Sequence, residues 1–310
     1  MKSRRLGNSG LKVSEIGLGC NNFGWFIDEA QTGAVIDAAI DAGITLFDTA
    51  DIYGKAESET LMGKLLGARR HDIVLATKFG SSAWPEWYKR GGSRRWIMQA
   101  VEDSLRRLRT DYIDLYQMHK PDPDTPIEET LRALDDLVTQ GKVRYIGNSN
   151  FSGWQIADAD WTAAGKARFV SAQNLYSLLE RGSEREVLPA CERFGLGFLP
   201  FFPLASGLLT GKYKRGQPLP EGARLSTNAT PMAAKTLIDA NYDKVEALSA
   251  WVEARGHTLL ELAFAWLLAK PVVSSVIAGA TKPEQVRANA AAVEWRLTPE
   301  EYAEVSRLVG

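Results

Sequence analysis

Cysteine is almost missing from this chain of 310 residues: Cys20 and Cys191 are the only two, too few for a disulfide framework. Histidine is scarce as well, with His71, His119 and His257 alone, so a metal site built from several imidazoles has little to draw on. Neither sign of charge prevails. Lys and Arg number 37 against 38 Asp and Glu, a formal charge of −1, which gives no electrostatic pull toward nucleic acid or an anionic membrane. Long apolar runs are missing too: the most apolar helical stretch, 259–269, is broken by Glu261 and falls short of the ~20 residues a bilayer requires. The basic start at 1–5 leads into Leu6-Gly7-Asn8-Ser9-Gly10 instead of the apolar run of a signal peptide. A reduced, cytoplasmic protein without nucleic-acid or membrane partners is the expectation.

What is present is a rhythm. Hydrophobic residues make up 45% of the chain, ample for one large core. A turn-forming cluster at 7–10 separates 4–6 from 11–13, which reads as a β-hairpin. Short apolar runs then recur at 16–19, 45–48, 73–78, 113–119, 143–149, 169–174, 197–201 and 273–277. Amphipathic helical patterns fill the gaps, at 29–42, 57–66, 94–108, 127–140, 152–163, 184–194, 244–254 with 259–268, and 283–292. Ser93 and Ser152 stand as N-caps, and Thr298-Pro299-Glu300-Glu301 opens a short last helix. About eight β-then-α units in a chain of this size predict a (β/α)8 TIM barrel, one domain over 1–310, with an N-terminal hairpin and a C-terminal helix. A doubly wound open sheet is the alternative; Gly17-Leu18-Gly19-Cys20 lacks the third glycine of its nucleotide fingerprint.

In a barrel the C-terminal strand ends share one mouth. Those ends carry Asp48, Lys78, His119, Ser149-Asn150 and Gln173-Asn174, and Tyr53 lies five residues beyond Asp48. The types suit proton donation to an alkoxide. A phenol is a weak acid until an ammonium steadies its anion, a carboxylate keeps that ammonium charged, and a neutral imidazole orients a carbonyl oxygen. Singly, Asp48 and Lys78 also read as an ordinary buried ion pair, Tyr53 as a rim tyrosine and His119 as a structural histidine. Together they predict carbonyl reduction, which needs a hydride donor that none of them can be.

The stretch 43–54, Gly-Ile-Thr-Leu-Phe-Asp-Thr-Ala-Asp-Ile-Tyr-Gly, resembles the signature of the aldo-keto reductase superfamily. So do Ala76-Thr77-Lys78, the segment 111–119 and Gly147-Asn148-Ser149-Asn150-Phe151. The wording of 173–181 and 207–213 resembles the microbial branch of aryl-alcohol dehydrogenases and potassium-channel β subunits. The resemblance implies a tetrad of Asp48, Tyr53, Lys78 and His119 and a bound nicotinamide cofactor. It implies that Ser149, Asn150 and Gln173 hold the carboxamide and that Phe201 stacks on the ring. Pro203, Leu204, Ser206, Gly207 and Leu208 would cross the pyrophosphate, with Lys212 nearby. Gly279, Thr281, Lys282, Gln285 and Asn289 would take the adenosine end.

Three departures stand out. Phe202 replaces a common serine, and Gly279 and Gln285 stand where many relatives carry Lys or Arg. A 2′-phosphate then rests on Lys282, with Lys212 and Arg224 adding charge, so NADPH is expected in preference to NADH. Phe23, Trp25, Trp84 and Trp87 are expected around a small carbonyl substrate, in a monomer or weak homo-oligomer. Two other functions compete. A cofactor-binding regulatory subunit of the channel β type would keep the fold without needing the tetrad. A metal-dependent hydrolase would need ligands clustered at strand ends, where only His119 lies, so no metal is expected.

Overall fold

The computed structural model describes residues 1–81, 86, 88–227 and 231–310. Strands β1 (Ser3–Arg5) and β2 (Lys12–Ser14) pair antiparallel. Each lies one residue farther from the turn than expected, because the Leu6 amide donates to the Leu11 carbonyl at 2.8 Å within the turn itself.

Eight parallel strands follow: β3 (Ile16–Gly19), β4 (Leu46–Asp48), β5 (Val74–Phe79), β6 (Ile113–Met118), β7 (Val143–Ser149), β8 (Phe169–Gln173), β9 (Gly197–Phe198) and β10 (Val276–Gly279). They pair in chain order, with β10 beside β3. Bridges from Phe198 to Val273 and from Phe201 to Ile277 join the two edges, supported by the Ile277 amide donating to the Pro200 carbonyl at 3.0 Å. The sheet is therefore a closed (β/α)8 barrel, not an open doubly wound sheet.

Two of these strands differ from expectation by more than one residue, for identifiable reasons. Regular pairing in the seventh stops at Phe198, since Pro200 has no amide to donate, and resumes only as isolated bridges at Phe201. The eighth begins at Val276, where its amide first bonds the Glu15 carbonyl; Val273 is spent on the bridge to Phe198.

The helices are α1 (Glu29–Asp41), α2 (Glu57–Leu66), α3 (Arg94–Leu108), α4 (Ile127–Thr139), α5 (Gly153–Thr162), α6 (Val187–Phe194), α7 (Arg224–Thr227), α8 (Pro231–Thr236), α9 (Asp239–Glu253), α10 (Leu259–Leu268), α11 (Pro283–Ala291) and α12 (Pro299–Leu308). Ser93 caps α3, Ser152 closes a capping box with Gln155 on α5, and Thr298 does so with Glu301 on α12 behind Pro299. The Gly- and Pro-rich stretch 211–231 holds the short α7 near its end.

The barrel has two apolar layers. A large one lies between strands and helices. A small inner one joins Leu46, Ala76, Leu115, Leu199 and Ile277, and the hairpin adds Leu6 and Val13 to it. The hairpin packs where β9 begins: a Cβ on Gly197 would stand 2.9 Å from Leu6 Cδ1. It plugs the N-terminal end and leaves the C-terminal end as the mouth. Among the described residues no helix is long and apolar enough to cross a membrane.

Candidate active site

The side chains of a strand alternate between faces, so the residues two positions beyond the inner apolar layer also face inward. On β4, β5 and β6 these are Asp48 after Leu46, Lys78 after Ala76 and Gln117 after Leu115. Gln173 arrives from the end of β8. Gly147 makes the room, because a Cβ there would come within 3.2 Å of Gln117 Cγ and 2.3 Å of Ser171 Oγ.

Asp48 and Lys78 form a fully buried ion pair, Nζ to Oδ2 at 2.6 Å. The other carboxylate oxygen, Oδ1, accepts from Gln117 Nε2 at 3.0 Å and Gln173 Nε2 at 2.9 Å. The ammonium also donates to the Thr49 carbonyl at 2.8 Å and to the Tyr53 hydroxyl at 3.4 Å. All three of its protons are thus directed. Such a pair tolerates burial only because its remaining donors and acceptors are met.

These neighbours act on proton affinities in opposing ways. Burial pulls Lys78 down, but Asp48 and Tyr53 outweigh it, and the lysine stays above its ordinary value and charged. For Tyr53 burial is the largest influence and raises the phenol, Lys78 lowers it, and the net direction is upward. The lowering expected of the ammonium is therefore present but smaller than the desolvation around it. His119 is brought down to about 3, by burial first and then by Lys78 and Lys120, so it is neutral near pH 7. Its ring stands edge-on to Tyr53 with centroids 5.8 Å apart, and its Nδ1 is buried without a hydrogen-bond partner among the described residues.

The expected carboxamide residues are gathered beside this group. Ser149 Oγ donates to the Gln173 carbonyl at 2.8 Å, and Asn150 Nδ2 donates to the His119 carbonyl at 2.9 Å and to Ser149 Oγ at 3.0 Å. Asn150 is exposed and has a φ of 62°, in the left-handed region. Beyond it the remaining expected cofactor residues follow consecutive strand ends around the rim. Phe201 is half-buried, and Phe202, Ala205, Ser206 and Gly207 have φ values of 53°, 45°, 58° and 96°. Non-glycine residues held in this region cluster where a ligand shapes the backbone. Pro203 and Leu208 are buried, Leu204, Ser206 and Gly207 half-buried, and Lys212 exposed.

At the departures, Phe202 packs edge-on to Phe201 with centroids 5.5 Å apart, and the Arg224 guanidinium lies 5.1 Å above the Phe202 ring. The arginine thus lies toward the mouth, where it lowers the proton affinity of Lys212 and is itself raised by Tyr53 against the larger effect of burial. Gln285 accepts from the Thr281 amide at 2.8 Å, so it folds the loop onto itself. Lys282 is the exposed N-cap of α11, and Asn22 Nδ2 ties the preceding Ala280 carbonyl to the end of β3 at 3.1 Å. Gly279 is exposed and Asn289 buried.

Of the expected pocket residues, Phe23 and Trp25 are described, and they lie in different surroundings. Phe23 is wholly buried in the main core, whereas Trp25 is 69% exposed and stacks on Phe26 with centroids 5.7 Å apart. Trp84 and Trp87 lie outside the described residues. Gln117 was not among the expected residues, although its signal was in the sequence: it stands two positions before His119 on a strand of period two. Among the described residues no group of three His, Cys, Asp or Glu could hold a metal.

A charged, buried lysine bonded to a phenol, with a neutral imidazole at the phenol's edge, can donate a proton and steady the anion left behind. Comparison with known proteins agrees in kind. Residues 15–309 match the model of the aldo/keto reductase family. The chain is 38% identical to a probable voltage-gated potassium channel subunit beta of Oryza sativa subsp. japonica, over all of this chain and 97% of that one. It is 38% identical to a putative aryl-alcohol dehydrogenase of Schizosaccharomyces pombe, over 96% and 92%. It is 33% identical to an L-glyceraldehyde 3-phosphate reductase of Escherichia coli O157:H7, over 99% and 92%. The chain belongs to the aldo/keto reductase family and is an oxidoreductase by that descent.

Proposed function

We propose that this aldo/keto reductase reduces small aldehydes or ketones to alcohols with NADPH, and that Tyr53 is the proton donor. The observation that carries the reading is the Lys78 ammonium, which holds Asp48 and the Tyr53 hydroxyl at once. When bound, the dihydronicotinamide supplies the hydride that adds to the carbonyl carbon. The carbonyl oxygen gains the negative charge and takes the phenolic proton of Tyr53. Lys78 then faces a phenolate, which its positive charge stabilises, while Asp48 and its two glutamine clamps keep the lysine in place. Neutral His119 keeps an N–H that can donate to the carbonyl oxygen and orient it.

The residues present fit a nicotinamide dinucleotide. Ser149, Asn150 and Gln173 offer both donors and acceptors to a carboxamide. Phe201 offers a ring face, and the left-handed backbone from Phe202 to Gly207 suits close approach to a pyrophosphate. Lys282, Lys212 and Arg224 supply positive charge toward phosphates, which favours NADPH over NADH. The balanced charge and two buried free thiols suit the cytoplasm. A screen of aldehydes, ketones and their alcohols with each cofactor tests the reading. Turnover with NADPH is expected; tight cofactor binding with no turnover of any carbonyl would instead favour a cofactor-binding regulatory subunit, the reading to which the rice relative's name as a probable potassium channel subunit beta lends weight.

A further inference from the structure

Behind the mouth, on the far side of β5, lies a second group of buried polar side chains that the proposed chemistry does not use. Glu59 of α2 is wholly buried and fully met: it accepts from Arg107 Nε of α3 at 2.7 Å and from Thr77 Oγ1 of β5 at 2.5 Å. Asp51 shares this space and is only 1% exposed, yet neither of its carboxyl oxygens makes a well-formed hydrogen bond. The Tyr116 hydroxyl of β6, buried against Phe79, is likewise without a partner.

Asp51 is tied to the proton-donating group through the backbone. Its amide donates to the Lys78 carbonyl at 3.2 Å, and the chain reaches Tyr53 two residues later. The carbonyl that receives the Lys78 ammonium, that of Thr49, lies two residues before it. A carboxylate buried beside a second acidic side chain, with no well-formed hydrogen bond to its oxygens, is costly when ionised, and keeping the proton relieves that cost.

We infer that Asp51 is a positioning residue for the Lys78–Tyr53 pair, an uncharged carboxyl that leaves Asp48 as the carboxylate bonded to the ammonium. The charged and titratable groups around it are Glu59 from α2, Arg107 from α3, Lys78 from β5 and Tyr116 from β6, and Asp103 of α3 acts on Tyr116 in turn. Burial is the largest influence on Asp51 and pushes it well above the ordinary carboxylate range; Glu59 adds to that, while Arg107, Lys78 and the Ile52 amide oppose it. Were Asp51 ionised, Lys78 would feel a second negative neighbour and would favour the Tyr53 phenolate less. The phenol would then be a weaker acid.

The test is Asp51→Asn, which copies the uncharged form. The folded protein binds a proton that the unfolded chain releases, so the contribution of Asp51 to wild-type stability falls as pH rises out of the ordinary carboxylate range. The variant lacks this loss. Its Tm should gain on the wild type as pH rises above the ordinary carboxylate range. Its kcat at neutral pH should stay within about threefold, and, since the variant cannot acquire the charge that makes the phenol a weaker acid, the alkaline fall of kcat set by Tyr53 should move down by about half a pH unit or more. A Tm that instead loses ground with rising pH, or an alkaline limb that does not move, overturns the inference. Should the variant not fold, infrared spectra of wild-type protein carrying isotope-labelled aspartate decide it: a protonated aspartate band persisting above the ordinary carboxylate range supports the inference, and its absence overturns it. The role assigned rests on the reductase reading above. The thermal and infrared measurements need no turnover, so their failure is distinct from failure of that reading, which the substrate screen decides.

Discussion

The floor and the mouth of the barrel are built by the same strands, one inward-facing position apart. At the floor Leu46, Ala76 and Leu115 pack against Leu199, Ile277 and the hairpin plug. At the mouth Asp48, Lys78 and Gln117 continue those three strands and form a closed polar network. About 7 Å of strand separates a layer held by apolar contact from one held by an ion pair. The floor tolerates conservative change because any apolar side chain of similar volume fills it. The mouth does not, because each donor there has a named acceptor. The two layers should therefore fail differently.

The largest separation should come from Tyr53→Phe. Carbonyl reduction should fall about 10²–10⁴-fold, with NADPH affinity, read by fluorescence titration, almost unchanged; a near-wild-type rate would remove Tyr53 as the proton donor. Next, Lys78→Met should strand the buried Asp48 and cost roughly 3–5 kcal/mol of stability as well as activity. Leu115→Ala at the floor should cost a similar ~2–5 kcal/mol in denaturant unfolding while kcat stays within severalfold. If both variants lose activity alike, the functional distinction between layers is wrong.

Acidity sharpens the comparison further, since only the mouth titrates. His119 is lowered from 6.5 to about 3 in the fold. The unfolded chain takes up its proton first, so stability is fully present above about 6.5 and is lost as pH falls toward 3. The loss from this group should be on the order of 2–4 kcal/mol, and His119→Asn should flatten it. The same shift predicts no inflection in kcat near pH 6.5. The smallest effect belongs to the outer rim: Lys282→Ala should weaken NADPH about tenfold, or ~1.4 kcal/mol, and leave NADH little changed. Equal loss with both cofactors would move the phosphate site elsewhere.

Much of this was readable along the chain. The strand ends at Asp48, Lys78 and Gln173 follow from apolar runs that stop at polar residues, and the caps at Ser93, Ser152 and Thr298 follow from hydroxyls before helical periods. Gln117 was hidden by its position inside a run, where a polar residue reads as a defect until its partner is known. Phe23 and Trp25 look equivalent in sequence, two residues apart in one loop, yet the fold buries one and exposes the other.

The sequence by itself determined the order of strands and helices, the hairpin and the chemical types at the mouth, because alternation, helical period and capping act between residues close along the chain. Only the tertiary structure decided that the sheet closes, through Phe198 and Phe201 meeting residues some seventy-five positions away. It alone decided that Asp48 is clamped by two glutamines from other strands. It also decided that burial outweighs Lys78 at the Tyr53 phenol and keeps His119 neutral. Desolvation and ion pairing depend on which distant residues exclude water, and no local pattern carries that information.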